Sequence, residues 1–508
     1  MNRAKHLFQS SIIVIIFFGL GKITGLYRIQ QVGQAFGTGL EFDAFTAANQ
    51  IPEVFFIVIA GGSLAAAFIP VYSAYLMAGR KDGLQLANTI LTLVMIVLGT
   101  VCLIAAIFAP WLTRVILVPE FSPQAQVLTA DLMRIVLIQT AIFGLSGVLS
   151  SILNTHQHFA LPALAPLMLD AGYLLGIWFL VPDMGIYGLA WGTVIGSVLH
   201  VGVQIPALVR HRIVIRPMLK IRLDGVREIV YLMGPRIVAL GAIQVADVFV
   251  IRLASRLPEG SMSGYFYGYA LMQVPETLFG TAIALVMFPT MAEMFNAQNI
   301  EGMKKTAAQA LSIIWTLTIP AAAALVLLGE PAITFFLERG AFGADSTRLV
   351  YNILLAFSLR IVAEATLEIV ARLFYAQHNT RIPMFCYLGW LVIHIGLAYL
   401  WVDTYGIVGV AFASTVAFFA LSTALFLLNR RAIGSLYERM LAISAGRALV
   451  GTAVMSLVIW GIGQYITSLF PFLAIATLVG GGTYILTNLL LGGQEIPRLI
   501  RLIRSRTV

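Results

Sequence analysis

The chain is a succession of apolar runs, most of them twenty to thirty residues long and separated by short polar breaks. Runs of that length match the roughly 20 residues a helix needs to cross a hydrocarbon core about 30 Å thick. They are far too long for the alternating strands of a membrane barrel. Lipid offers no hydrogen bonds, so the backbone must satisfy itself, and helices are what remain. Fourteen runs are read, at about 10–35, 43–76, 85–117, 127–153, 161–181, 186–209, 227–256, 262–294, 305–328, 346–376, 383–402, 406–428, 443–468 and 471–492. Composition closes the alternatives. Of 508 residues, 11% are charged and 59% hydrophobic, with a mean hydropathy of +0.92. A soluble domain carries roughly 25% charged residues, and disordered or fibrous chains need polar or periodic compositions. The expected fold class is an all-α integral membrane protein.

The net charge of +9 is not a nucleic-acid signal in such a chain, because multispan proteins concentrate Lys and Arg in cytoplasmic loops. With the N-terminus inside, twenty cations fall in inside segments, from Arg3 and Lys5 through the cluster between Arg210 and Arg227 to Arg506. The outside loops hold four, Arg114, Arg256, Arg339 and Arg348. Both termini are therefore expected in the cytoplasm, and no nucleic-acid partner is expected. The apolar run from Ile12 lacks a small-residue cleavage site and reads as a retained first span. Cys102 and Cys386 lie inside apolar runs, so neither a disulfide framework nor a metal site is indicated.

A repeat runs through the chain. Gln50-Ile51-Pro52-Glu53 returns as Gln273-Val274-Pro275-Glu276, displaced by 223. Phe68-Ile69-Pro70 is answered by Met287-Phe288-Pro289, and Pro162 by Pro383. Gly185-Ile186-Tyr187-Gly188-Leu189-Ala190-Trp191 is answered by Gly406-Ile407-Val408-Gly409-Val410-Ala411-Phe412, displaced by 221. The displacement covers six runs, an even number, so the two copies share one orientation and imply two six-helix lobes related by a pseudo-two-fold repeat. The organisation expected is an N-terminal lobe over 1–211, a basic cytoplasmic linker over 212–226, a C-terminal lobe over 227–430, and two extra helices with a basic tail over 431–508. Repeats of this kind usually hold a substrate between the halves and expose it to each side in turn. The architecture is that of a transporter.

Ionisable residues at membrane depth are costly and usually face a cavity or one another. The first run carries Lys22 and Arg28 among Gly19, Gly21 and Gly25, which permit close packing or bending. The seventh carries Arg236, directly after Pro235, then Asp247 and Arg252. Arg252 is displaced from Arg28 by 224, so the two read as near mates under the repeat. Asp43 is the carboxylate nearest in sequence to this cationic set, with an N-terminal helix cap as its other reading. Lys22, Arg28, Asp43, Arg236 and Arg252 are the candidate substrate-binding residues. In the tenth run Arg360, Glu364, Glu368 and Arg372 follow at intervals of four and share one helical stripe. They read as a structural ion-pair ladder; alternatively, Glu364 and Glu368, with Asp247, read as carriers of a coupling ion or proton. His394, alone in its span, reads as a hydrogen-bonded core residue.

No catalytic constellation is present, and no Walker-type phosphate loop occurs, so the chain is not expected to hydrolyse ATP. No cofactor is expected; sodium, a proton or the membrane potential is the expected source of coupling. A cavity of Arg and Lys between apolar bundles suits an anionic substrate, since arginine binds phosphate through paired hydrogen bonds. The residues alone support a transporter for an anionic amphiphile.

Phe36-Gly37-Thr38-Gly39 with Asp43-Ala44-Phe45, Leu153-Asn154 with the stretch from Phe159 to Pro166, and Met233-Gly234-Pro235-Arg236 resemble signatures of the MurJ (MviN) family of lipid II flippases. So do Leu337-Glu338-Arg339-Gly340-Ala341-Phe342 and Phe374-Tyr375-Ala376. The matches run in order from the first span to the eleventh. The resemblance implies the fold of the multidrug/oligosaccharidyl-lipid/polysaccharide exporters, here with two extra helices. It also implies transfer of undecaprenyl-pyrophosphate-linked peptidoglycan precursor from the inner to the outer leaflet of the bacterial cytoplasmic membrane. The cell-wall synthesis machinery is the partner expected beyond lipid. Lys22, where the family usually has arginine, Arg28 and Asp43 match family positions in the central cavity. Two expected cations are missing, at Phe55-Phe56-Ile57 and within Tyr267-Gly268-Tyr269-Ala270-Leu271-Met272, and Arg236 and Arg252 are the candidates to replace them. A flippase for another polyprenyl-linked precursor, a multidrug exporter of the superfamily and a membrane scaffold in wall assembly are the competing readings.

Overall fold

The computed structural model describes residues 2–60, 62–210 and 213–497. Among them all regular structure is helical. The principal helices are α1 (Asn2–Phe36), α2 (Leu40–Phe55), α3 (Gly62–Ala78), α4 (Arg80–Ile107), α5 (Pro123–Thr155), α6 (Ala160–Leu175), α7 (Ile186–Gly202), α8 (Asp224–Ala254), α9 (Ser261–Glu276), α10 (Ala282–Asn296), α11 (Ile300–Leu337), α12 (Ala344–Ser358), α13 (Arg360–Ala376), α14 (Arg381–Ile433), α15 (Glu438–Tyr465) and α16 (Leu469–Leu490). The basic tail over 498–508 lies outside the described residues.

By length and apolarity, ten helical stretches among the described residues can cross a membrane, against the fourteen runs expected. The difference has identifiable sources. The 53-residue α14 merges two expected spans across Gly406, which is non-helical at φ 58° and ψ −144°. At about 1.5 Å per residue it would otherwise run near 80 Å, well over twice the hydrocarbon thickness. The tenth run is cut at Leu359 into α12 and α13, each shorter than eighteen residues. The first and seventh runs fall on α1 and α8, whose side chains lie partly outside the described residues.

The repeat is written into the backbone. Left-handed conformations recur at Gly37 and Gly260, at Gln157 and His378, and at Gly185 and Gly406, displaced by 221 to 223. The proline of each Gln-x-Pro-Glu motif is followed by a π-helical segment, Phe56–Ala60 after Pro52 and Thr277–Thr281 after Pro275. A proline withdraws one N–H from the helical ladder and its ring crowds the preceding turn, and a π-bulge is one way a helix absorbs such an interruption.

Packing divides the chain into two compact units. The first ends at Ser263 and takes in Arg339–Phe342, and the second holds Gly264–Glu338 and the chain from Gly343 on. Helix α8 packs on α2, α3 and α4, so the first unit runs past the basic segment 212–226 where the repeat would divide the chain. Within the first unit two of the signature motifs meet. The Ala341 N–H donates to Gln34 O at 2.9 Å, and a Cβ on Gly37 would stand 2.2 Å from Ala341 O. Helices α6 and α7 are joined through glycine. Gly172 and Gly176 on one face Gly188, Gly192 and Gly196 and the backbone beside them. Lipid tails are as apolar as leucine, so close van der Waals approach of backbones is what favours such a pair.

Candidate functional site

In the first unit, Arg28 stands where α1 meets α6. Its Nε lies 3.4 Å from Asp170 Oδ1, with the side chains 24% and 10% exposed. Thr24, one turn earlier, donates its hydroxyl to Asp170 Oδ2 at 2.6 Å. The guanidinium also lies 4.6 Å from the centre of the Tyr173 ring. The spacing explains the grouping, since residues three or four apart share a helix face. Thr24 and Arg28 thus meet Asp170 and Tyr173. The glycines of α1 are not what brings the helices together. A Cβ on Gly21 or Gly25 would make only ordinary contact with α6, and Gly19 has nothing within 4 Å.

This arrangement fits anion capture. Asp170 engages the Nε side of the guanidinium and Tyr173 supports its plane through a cation–π contact. The two terminal nitrogens form a fork of the kind that binds phosphate in bidentate fashion. Lys22 is partly buried on the same helix, with an interaction of its own.

The other expected site residues are dispersed. Asp43 is 2% exposed, and both carboxylate oxygens are engaged within the first unit. Oδ2 accepts from the Gly260 N–H at 2.7 Å, and Oδ1 accepts from the Ser263 N–H and hydroxyl, each at 2.7 Å. The carboxylate caps the first turn of α9, neither its own helix nor an open cavity, because a helix N-terminus leaves N–H groups that favour a negative charge. Asp43→Asn should therefore lower thermal stability by about 2 kcal/mol, the scale of lost charge-assisted hydrogen bonds. A melt in detergent should show the variant unfolding several degrees below the parent; coincident curves would mean the cap is dispensable.

Arg252 donates to the carbonyls of Val115 and Ile116, at the end of the π segment Leu112–Leu117. That is a cation at a helix C-terminus, where the dipole favours it. Arg28 and Arg252, the near mates under the repeat, thus have separate protein partners. Arg236 lies in α8, and its side chain falls outside the described residues. Asp247 is partly buried on the same helix with an interaction of its own. The neighbouring Gln244 accepts from Gln50 Nε2 at 3.4 Å.

In the second unit the charged stripe closes as two ion pairs. Arg360 Nε meets Glu364 Oε2 at 2.9 Å, and Arg372 pairs with Glu368. Arg360 is also held by Ser414 Oγ at 2.8 Å and stands 4.1 Å from the Phe418 ring centre. Gln273 donates to Glu364 Oε1 at 3.2 Å. A third carboxylate joins them: Glu276, 3% exposed, accepts from the Thr281 hydroxyl at 3.3 Å. His394 departs from the expected hydrogen-bonded residue. It is buried at 3%, neither ring nitrogen has a partner among the described residues, and it packs on Trp390 at 5.3 Å.

Sequence reading passed over Asp170, Glu53 and Glu276. For Asp170 the signal was present, as an acid in the middle of the apolar run 161–181. Glu53 and Glu276 were visible as repeat mates, but nothing in the motif separated a functional carboxylate from a structural one.

The comparisons with known proteins agree along the chain. The family model described as lipid II flippase MurJ matches residues 32–480. The lipid II flippase MurJ of Burkholderia cenocepacia is 26% identical over 437 residues, covering 84% of this chain and 85% of that protein. A probable lipid II flippase MurJ of Vibrio cholerae is 27% identical over 514 residues, covering 96% and 97%. A solved lipid II flippase MurJ in an inward closed conformation superposes with a TM-score of 0.81 at 23% identity, covering 96% of this chain and 100% of that one. An inward-facing multidrug resistance transporter of the MATE family gives a TM-score of 0.69 at 15% identity, covering 84% and 99%, a likeness of fold.

Proposed function

This chain belongs to the lipid II flippase MurJ family, and from that premise we propose that it carries lipid II from the inner to the outer leaflet of the bacterial cytoplasmic membrane by alternating access. The family match across residues 32–480 carries the reading. The Arg28 group supports it, because a lipid-linked pyrophosphate needs a cation at membrane depth that is already oriented. Asp170 and Tyr173 hold Arg28 in place. A phosphate that takes the terminal nitrogens of the fork exchanges hydration for charge-assisted hydrogen bonds. Lys22, on the same helix, adds a second positive charge for the pyrophosphate, while the polyprenyl tail stays in lipid.

The reading predicts that the purified protein in liposomes moves a fluorescent lipid II head group across the bilayer faster than protein-free liposomes do. Equal rates would refute it. The cation count further assigns both termini to the cytoplasm. A reporter active only outside the cytoplasm should be silent when fused after Val508 and active in the loop from Phe121 to Ala125. The reverse pattern would overturn that orientation.

A further inference from the structure

The basic segment between α7 and α8 has no part in this reading, yet its path is defined. It follows the short helix Ile205–Arg210 and lies along α4 of the same unit. One amide brackets it. Asn88 Nδ2 donates to Val214 O at 3.1 Å, and Asn88 Oδ1 accepts from the Arg216 N–H at 3.1 Å. One helical turn on, Thr92 Oγ1 accepts from the Met218 N–H at 2.9 Å. Backbone groups two residues apart that point to one side belong to an extended chain. Where the segment ends, the Gly225 N–H donates to the Tyr75 hydroxyl of α3 at 2.8 Å. The segment is a strap fastened at both ends.

An extended chain sends successive side chains to opposite faces. Along the strap the odd positions are Ile213, Ile215, Pro217 and Leu219, all apolar, while the even ones include Arg216 and Lys220. A turn then presents Ile221 and Arg222, closed by the Leu223 N–H on Lys220 O at 3.1 Å. Ile215, Leu219 and Ile221 are 37%, 56% and 62% exposed, and Arg216, Lys220 and Arg222 are exposed beside them. Among the described residues these three cations have no ion-pair partner. Lys304 and Arg430, by contrast, are matched by Glu301 and Glu438. Position sets the surroundings. The apolar stretch of α4 follows Arg80, Lys81 and Asp82, and Asn88 stands about 12 Å along the helix from Arg80, so the strap lies near the border of headgroups and hydrocarbon. Exposed apolar side chains beside unmatched cations fit a ligand with an anionic head and apolar tails. A zwitterionic lipid would leave the positive charge unanswered. We propose that the strap from Val214 to Arg222 binds an anionic phospholipid, with its phosphate on Arg216, Lys220 and Arg222 and its acyl chains against Ile215 and Leu219.

The test uses the purified full-length chain in a neutral detergent, without lipid II, so its outcome depends neither on transport nor on orientation. Thermal unfolding is followed in micelles mixed with dioleoylphosphatidylglycerol or dioleoylphosphatidylcholine. The anionic lipid should raise the melting temperature saturably above the zwitterionic one, as a ligand of the folded state does. Arg216→Gln combined with Lys220→Gln and Arg222→Gln should weaken its apparent affinity at least tenfold. Ile215→Ser with Leu219→Ser should weaken it several-fold with every charge kept, and holds the test open should the triple variant fail to fold. Arg381→Gln with Arg431→Gln and Arg439→Gln removes the same charge from other exposed positions and should leave the affinity unchanged. Equal melting in the two lipids would overturn the proposal. So would an equal loss in the last variant, because net charge alone would then draw the lipid. Inorganic phosphate that stabilises the protein as much as the anionic lipid would also overturn it, assigning the cations to a free anion.

Discussion

Arg28→Ala should give a protein that melts well below the parent and, where folded, binds lipid II about tenfold to a hundredfold more weakly. The stability loss comes from the partner left behind. Asp170 has a side chain only 10% exposed, and removing the cation strands its charge at membrane depth. Breaking a buried ion pair costs about 3–5 kcal/mol, and the lower end applies because Arg28 keeps some contact with solvent. Neutralising the stranded acid should reverse this. Arg28→Ala combined with Asp170→Asn should recover most of the melting temperature without recovering binding, since charge-assisted hydrogen bonds of about 1.5–3 kcal/mol each are gone. Arg28→Lys should fold and bind with intermediate affinity, because the ammonium keeps the charge and lacks the planar fork. Melting curves and native mass spectrometry with lipid II separate the two effects. If the double variant binds like the parent, Arg28 has no part in holding the substrate. If it is as unstable as the single variant, the ion pair is not what holds α1 against α6.

Gly172→Val should abolish the folded protein altogether. A Cβ at Gly172 would fall 2.1 Å from Gly196 Cα and 2.8 Å from Gly192 O, and one at Gly176 would fall 2.6 Å from Gly192 Cα. Those are backbone atoms, so no rotamer change relieves the clash and the helices must part. Overpacking a well-filled interface costs about 1–3 kcal/mol even where side chains can yield, and here the whole α6–α7 contact is at stake. Gly99→Val is the control, for nothing lies within 4 Å of a Cβ there. Size exclusion of detergent extracts should show a single peak for the control and aggregate for Gly172→Val. A well-behaved Gly172→Val protein would mean that the two helices are not tightly packed.

Much of this molecule was legible in the residues alone. The apolar runs gave helices because lipid allows little else, and the repeat at Gln50 and Gln273 returned as paired π segments and paired left-handed residues. The site was harder to read. Spacing along α1 said that Lys22 and Arg28 lie at membrane depth. It could not say that a carboxylate 142 residues away would claim the guanidinium, because that pairing depends on how α6 lies against α1. The partners of Asp43 were hidden for the same reason. As a first-turn acid it looked local, yet its partners are at Gly260 and Ser263. The stripe from Arg360 to Arg372 succeeded because its partners are four residues apart on one helix, where geometry follows from the period alone.

The π segments have a consequence for how these helices meet their surroundings. A wide turn accommodates one residue more than an α turn, so everything beyond it is wound about 100° out of phase with what came before. Residues from Leu40 to Phe55 and those past Ala60 therefore do not continue a single stripe. The same offset recurs beyond Thr281. Each repeat thus carries a built-in dislocation. In the second repeat it lets one continuous rod, Ser261–Asn296, address two different environments, one along its first half and another along its second, without a break in the helix.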